Sequence, residues 1–225
     1  LFRSERGIRA EGGLYMLVAQ AVQGAEYCTG KTYPAEQTET IYRHLLKDKL
    51  NLVLIGMPSS GKTTLGKALS NMLSRTYLDL DKEVVRMDGR SIPEIFTKEG
   101  EAFFRDLESR AVVASSVLNG QVIAAGGGTI LRAENVRRLK QNGVLIYLDR
   151  PLQDLLPKKD RPLADSEEKL SRLYEQRRPI YRAAADITVT RWTSIAASLE
   201  QILDQLNRIG YTNNNEPDTG TEVKV

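Results

Sequence analysis

The sequence of 225 residues predicts an α/β domain in which a five-stranded parallel sheet is flanked by helices on both faces. Three observations predict it. Short apolar runs, Leu52 to Ile55, Thr76 to Leu78, Val122 to Ala125, Val144 to Leu148 and Ile187 to Val189, alternate with intervals long enough for helices. Most of these runs lack the polar alternation of a half-solvated strand, as expected where helices cover both sides of a parallel sheet. The first run leads directly into a glycine-rich turn and then a helical pattern, the strand-turn-helix unit at which open α/β sheets hold ligands. A hydrophobic content of 41% is enough for a sizeable core.

The chain opens on Leu1 rather than methionine, which reads as a cut from a longer protein. An apolar helical stretch from Gly13 towards Tyr27 ends at Thr29-Gly30-Lys31, and Tyr33-Pro34 breaks the pattern. Ala35 to Lys49, with Ile41, Leu45 and Leu46 on one side, is the expected linker helix into the first strand. Helices are then expected over Lys62 to Leu73, over Ser91 to Leu118 with a break at Gly100, over Ala133 to Gln141, over Ser166 to Ala184 and over Thr193 to Arg208. Asn119-Gly120 and Asn142-Gly143 each place glycine where a helix commonly stops in a left-handed residue. Tyr211 to Val225, rich in asparagine and charge, is expected to be a disordered tail. The expected division is therefore 1–30, a linker helix over 31–48, the α/β domain over 49–210 and the tail.

Charge and composition exclude several functions. The 32 basic and 29 acidic residues are interleaved, and no basic stripe carries the aromatic residues of a nucleic-acid surface. No apolar run approaches the roughly 18 residues of a membrane span, and one cysteine, Cys28, forbids an internal disulfide, so a cytoplasmic protein is expected. Cys28 and the one histidine, His44, cannot build a zinc site.

Gly56-Met57-Pro58-Ser59-Ser60-Gly61-Lys62-Thr63 fits G-x-x-x-x-G-K-[ST] between a strand and a helix whose apolar positions are Leu65, Ala68, Leu69, Met72 and Leu73. Such a loop turns successive backbone N–H groups inward, and the helix start adds its positive dipole end, so polyphosphate oxygens meet prearranged donors. Gly56, Ser59, Ser60, Gly61, Lys62, Thr63 and Thr64 are thus candidates for holding ATP, with Lys62 on the β/γ-phosphates and the Thr63 hydroxyl on Mg²⁺.

A small-molecule kinase also needs groups that hold the acceptor, cations for the transition state and a means of excluding water. Asp79 and Asp81 are placed at the end of the second strand, one near Mg²⁺ and the other facing an acceptor hydroxyl. In Phe103-Phe104-Arg105-Asp106-Leu107-Glu108 the glutamate lies three residues after Arg105 and can orient a guanidinium fork for a carboxylate. Gly126-Gly127-Gly128 lets backbone approach a ligand closely. Lys158 to Ala164 is a polar, proline-containing connection suited to a lid, with Arg161 as its cation. Arg177, in Gln176-Arg177-Arg178-Pro179-Ile180-Tyr181, is a second candidate for the carboxylate, with Arg178 beside it.

D-x-D, F-F-R-x-x-E, G-G-G, R-P-L and R-x-P-[IL]-Y, in this order after the phosphate loop, resemble shikimate kinase over about Lys49 to Ile209. The resemblance implies a P-loop kinase fold and ATP-dependent phosphorylation of the shikimate 3-hydroxyl. It also implies Lys62 and Thr63 on nucleotide and Mg²⁺, Asp79 near the metal, and Asp81 on the ring hydroxyls as proton acceptor. Arg105 and Arg177 would hold the carboxylate, Gly126, Gly127 and Gly128 would line the site, and Arg161 would be the lid arginine. Ala164 stands where that family often has a second leucine. Residues 1–30 resemble the C-terminal end of shikimate dehydrogenase, with Gln20 at the position of a shikimate-contacting glutamine and Tyr15 where the pattern has its second glycine. Dehydrogenase and kinase catalyse successive steps, so the two resemblances imply a fused enzyme whose kinase domain is monomeric. Competing readings are a gluconate kinase-like enzyme, whose polyol acceptor gives no use for two carboxylate-gripping arginines, and a non-catalytic nucleotide-binding domain that regulates a neighbour.

Overall fold

The computed structural model describes residues 13–155, 166–209 and 211. The expectations for the tail, Arg161 and Ala164 lie outside these residues. The chain divides into two compact units, one of residues 1–48 with 207–225 and one of residues 49–206. The first contains helices α1 (Gly13–Thr29) and α2 (Ala35–Lys49), the latter ending one residue into the second unit. Val18 is buried in α1, and the Tyr15 and Tyr42 rings meet edge to face at 5.2 Å.

The second unit is the predicted α/β domain. Strands β1 (Asn51–Ile55), β2 (Thr76–Asp79), β3 (Gln121–Ala124), β4 (Gly143–Leu148) and β5 (Ile187–Val189) form one sheet in the order β2-β3-β1-β4-β5. Every pairing is parallel. All five residues of β1 are buried, which accounts for the unbroken apolar run. Val53 and Ile55 of β1 and Leu145 and Tyr147 of β4 pack on one face in a core with Phe104, Leu107 and Tyr181. On the other face Leu54 meets helix α3 (Lys62–Met72), where a Cβ at Gly66 would lie 3.1 Å from Leu54 Cδ1. The sequence order reverses around β1, so the turn after β1 opens where the connections part to either side, the point at which α/β sheets bind ligands. Among the described residues no helix is long and apolar enough to cross a membrane.

Two features differ from expectation, the start of the helix after β2 and the role of Gly143. Asp79 closes β2, but Asp81 belongs to helix α4 (Leu80–Asp88), which starts with no intervening loop. The cause is local: Asp79 is the N-cap, its Oδ1 accepting from the Asp81 and Lys82 backbone N–H groups at 3.1 and 3.4 Å. The break at Gly100 is borne out by its left-handed φ of 81°, which separates α5 (Ile92–Lys98) from α6 (Gly100–Ser116). Gly120 is left-handed as expected, whereas Gly143 opens β4 opposite Asn51. There a Cβ would stand 2.7 Å from the Leu139 carbonyl, so close approach rather than backbone twist selects glycine. Helices α7 (Ala133–Gln141), α8 (Glu167–Ala184) and α9 (Ile195–Arg208) match their predicted positions to within a residue or two.

Candidate active site

The phosphate loop forms as the sequence predicts. It leaves β1 at Gly56 and enters α3 through Gly61, whose φ of 93° is a left-handed turn. The buried Lys62 ammonium donates 2.8 Å hydrogen bonds to the Gly56 and Met57 carbonyls, which lays its stem along the loop. Ser59 has a left-handed φ of 65°, unusual for a residue with a side chain, and so contributes strain to the turn. The Ser60 hydroxyl is buried with no hydrogen-bond partner among the described residues, a polar group left over at the base of the loop. Thr63 and Thr64 are exposed on the first turn of α3.

Thr63 lies beside the end of β2. Its hydroxyl is 3.4 Å from Asp79 Oδ2, which also accepts from the Tyr77 hydroxyl at 3.1 Å. Burial and the neighbouring Asp79 carboxylate push the Tyr77 hydroxyl well above the ordinary tyrosine pKa, so it stays protonated and donates. Asp79 thus caps α4 through one oxygen and faces Thr63 through the other. Two hard oxygen donors at a phosphate loop fit Mg²⁺, which prefers few protein ligands together with phosphate oxygens.

The acceptor candidates converge on the glycine loop. A Cβ on Gly126 would lie 2.5 Å from Glu108 Oε1 and 2.7 Å from Asp81 Oδ1, so both carboxylates close over that residue. A Cβ on Gly128 would fall 2.0 Å from Arg105 Nη1, and one on Gly127 would touch Pro58 of the phosphate loop at 3.2 Å. Gly128 has a φ of −108°, open to any residue, so the glycine is required for space. Gly128→Ala is therefore expected to destabilise the domain by about 1–3 kcal/mol through overpacking, measured by denaturant unfolding. An unchanged unfolding midpoint would show that Arg105 does not occupy that space.

Glu108 is almost wholly buried and accepts from Arg105 Nη1 at 2.9 Å and from the Thr129 hydroxyl at 2.7 Å. Burial holds its carboxyl above the usual carboxylate range even with those partners. Glu101 accepts from the other side of Arg105 at 2.9 Å. Burial opposes the charge on Arg105, but Glu108 and Glu101 more than offset it and leave its pKa raised.

Arg177 is different. It is as buried as Arg105, its Nη1 donates to the Gly127 carbonyl at 2.9 Å, and it forms no ion pair with a carboxylate among the described residues. Burial, with the nearby Arg105 charge, lowers its pKa from the ordinary arginine value. The adjacent Arg178 instead reaches Asp149, so the geometry separates two neighbours that the sequence leaves open.

Sequence reasoning missed four contributors: Tyr77 on Asp79, Pro58 against Gly127, Tyr181 on the Gly127 carbonyl, and Asp149 beneath α8. Only Tyr181 carried a signal, since it stands four residues after Arg177 and so shares its helix face.

A phosphate loop on the central strand, a carboxylate beside its threonine that caps the next helix and two buried arginines at the glycine loop define the chain as a phosphate-loop phosphotransferase. The shikimate kinase family model matches residues 58–207, and the chain belongs to the shikimate kinase family. A shikimate kinase from Caldanaerobacter subterraneus subsp. tengcongensis is 44% identical over 146 residues, covering 62% of this chain and 85% of that protein. One from Burkholderia lata is 39% identical over 168 residues, covering 71% and 91%. Among solved structures, shikimate kinase from Acinetobacter baumannii in complex with shikimate superposes with a TM-score of 0.68 at 36% identity, over 74% of this chain and 97% of that one. The Aquifex aeolicus enzyme gives 0.63 at 36% identity, over 72% and 99%.

Proposed function

We propose that this chain phosphorylates the 3-hydroxyl of shikimate with ATP, giving shikimate 3-phosphate and ADP. The observation that carries the acceptor assignment is the buried Arg177, which forms no ion pair with a carboxylate among the described residues and lies near a second buried arginine. An unpaired buried cation is costly, and an anionic ligand relieves that cost when it binds. A ring carboxylate gripped by Arg105 and Arg177 would anchor the acceptor at one end. Its hydroxyls would then face Asp81 and the glycine loop. Asp81 takes the proton as the hydroxyl oxygen attacks the γ-phosphorus, and the bond to the β,γ-bridging oxygen breaks to release ADP. Lys62 and the backbone N–H groups of Gly56, Ser59, Ser60, Gly61, Thr63 and Thr64 hold the phosphates, and Arg161 supplies a further cation from the lid. Thr63 and Asp79 would hold Mg²⁺, which when bound neutralises charge on the phosphate oxygens.

The deciding experiment measures ADP release from Mg·ATP with shikimate, with gluconate and with neither. Strong acceleration by shikimate alone is expected, and equal rates with and without shikimate would sink the proposal. Arg105→Ala is expected to raise the shikimate KM about ten- to hundredfold while the ATP KM changes by less than about twofold, because the side chain is assigned to the acceptor and not to the nucleotide. A selective loss of ATP affinity would move Arg105 to the nucleotide.

The fusion reading reaches beyond the kinase domain. We infer that residues 1–30 are the C-terminal end of a shikimate dehydrogenase domain, residues 31–48 its linker, residues 49–210 a monomeric cytoplasmic kinase domain and residues 211–225 a tail. In support, α1 exposes Gln20 together with the large apolar side chains of Met16 and Leu17. Reading the encoding frame upstream of Leu1 tests it, and a stop codon directly upstream would end the idea.

A further inference from the structure

Asp149 lies just beyond the end of β4 and is nearly buried, yet no step of the reaction above uses it. Its carboxylate accepts from three side chains on two sides. The fully buried Tyr147 hydroxyl donates to it at 3.0 Å from the strand. Arg178 at 3.2 Å and Arg182 at 2.8 Å donate from α8. These contacts hold the carboxyl below its ordinary pKa although burial pushes the other way.

The two arginines each stand one residue after a site-facing side chain. Arg177 and Tyr181 share the Gly127 carbonyl as acceptor, and the Tyr181 ring stacks on Tyr147 at 5.2 Å and 10°. One face of α8 therefore grips the glycine loop, and the residues beside that face grip Asp149. Between them Pro179 interrupts the helix ladder. It has no N–H to give to the carbonyl four residues earlier, so the turn that presents Arg177 is poorly fixed by the helix itself.

We propose that Asp149 is a positioning residue for acceptor binding: by clamping Arg178 and Arg182 and orienting Tyr147 against Tyr181, it sets the rotation of α8 that points Arg177 at the substrate carboxylate. The proposal rests on the assignment of Arg177 to the acceptor. Asp149→Asn keeps the shape and removes the charge that draws both guanidinium groups.

Shikimate and ATP KM values are measured for Asp149→Asn, for Arg177→Ala and for the double variant, using the full chain. The clamp predicts an increase of about tenfold in the shikimate KM for Asp149→Asn, an ATP KM changed by less than about twofold, and no further increase when it is added to Arg177→Ala. A residue that only stabilised the fold would lower the melting temperature and act independently of Arg177, so increases that multiply in the double variant would overturn the proposal. So would an unchanged shikimate KM in Asp149→Asn. If Arg177→Ala itself leaves the shikimate KM unchanged, the acceptor assignment falls and the clamp with it. Should Asp149→Asn fail to fold, the paired Arg178→Gln and Arg182→Gln substitution, on the more exposed side of the contact, is judged by the same outcomes.

Discussion

Asp81→Asn is expected to lower kcat by about 10²- to 10⁴-fold while both KM values stay within a few-fold of the parent, the pattern of a lost proton acceptor. Asparagine has the shape of aspartate and can still donate and accept hydrogen bonds to ring hydroxyls, but it cannot take the proton released on attack. The fold should tolerate the change. Asp81 contributes its backbone N–H, not its side chain, to the Asp79 cap, and its charge only adds to the burial that already raises the Glu108 pKa. Rates from single turnover and from steady state would both fall if the chemical step is affected. A kcat within about tenfold of the parent would remove Asp81 as the base and leave it a ligand of the hydroxyls.

That prediction depends on a placement the sequence reached by the wrong route. Asp79 and Asp81 were legible as a functional pair from their distance to the phosphate loop, yet the helix they begin was not. The reason is physical: α4 is nine residues long and follows β2 with no turn residue between them, so the apolar spacing of Leu80, Val84 and Met87 had no visible start. Its start depends on a side-chain cap that becomes visible only when the Asp79 rotamer is known. The phosphate loop, by contrast, is contiguous and its geometry is encoded locally, so the strand, turn and helix that form it could be read in advance. The arginine fork lay between these extents. Arg105 and Glu108 are three apart on one helix and could be paired on spacing alone. Arg177 and Arg178 project about 100° apart on α8, and spacing does not say which direction is inward. Tyr181 and Arg182, each one helical turn on, settle it once the core is known, because tyrosine takes the buried side. Asp149 was beyond reach because its helical partners lie 29 and 33 residues away, and nothing local marks a carboxylate as their anchor.

Lys62→Met is expected to lower kcat/KM for ATP by about 10³-fold, the scale for removing one preorganised charge from a phosphoryl-transfer site. Methionine matches much of the stem in length and apolar character, so the substitution removes the charge and little of the packing. What it leaves behind is defined by the structure: the Gly56 and Met57 carbonyls lose their 2.8 Å donor. Those carbonyls face a loop already strained at Ser59, so a loss of stability of about 1 kcal/mol should accompany the catalytic loss. The two effects separate experimentally. Unfolding reports the carbonyls, whereas turnover with saturating shikimate reports the charge. Lys62→Arg restores the charge but not the compact tip, and the planar guanidinium cannot reach both carbonyls from the same stem, so it should recover stability poorly and activity hardly at all. Recovery of most activity in the arginine variant would show that any cation at this place suffices. The two lysine hydrogen bonds would then be a resting contact of the loop with no part in aligning the γ-phosphate.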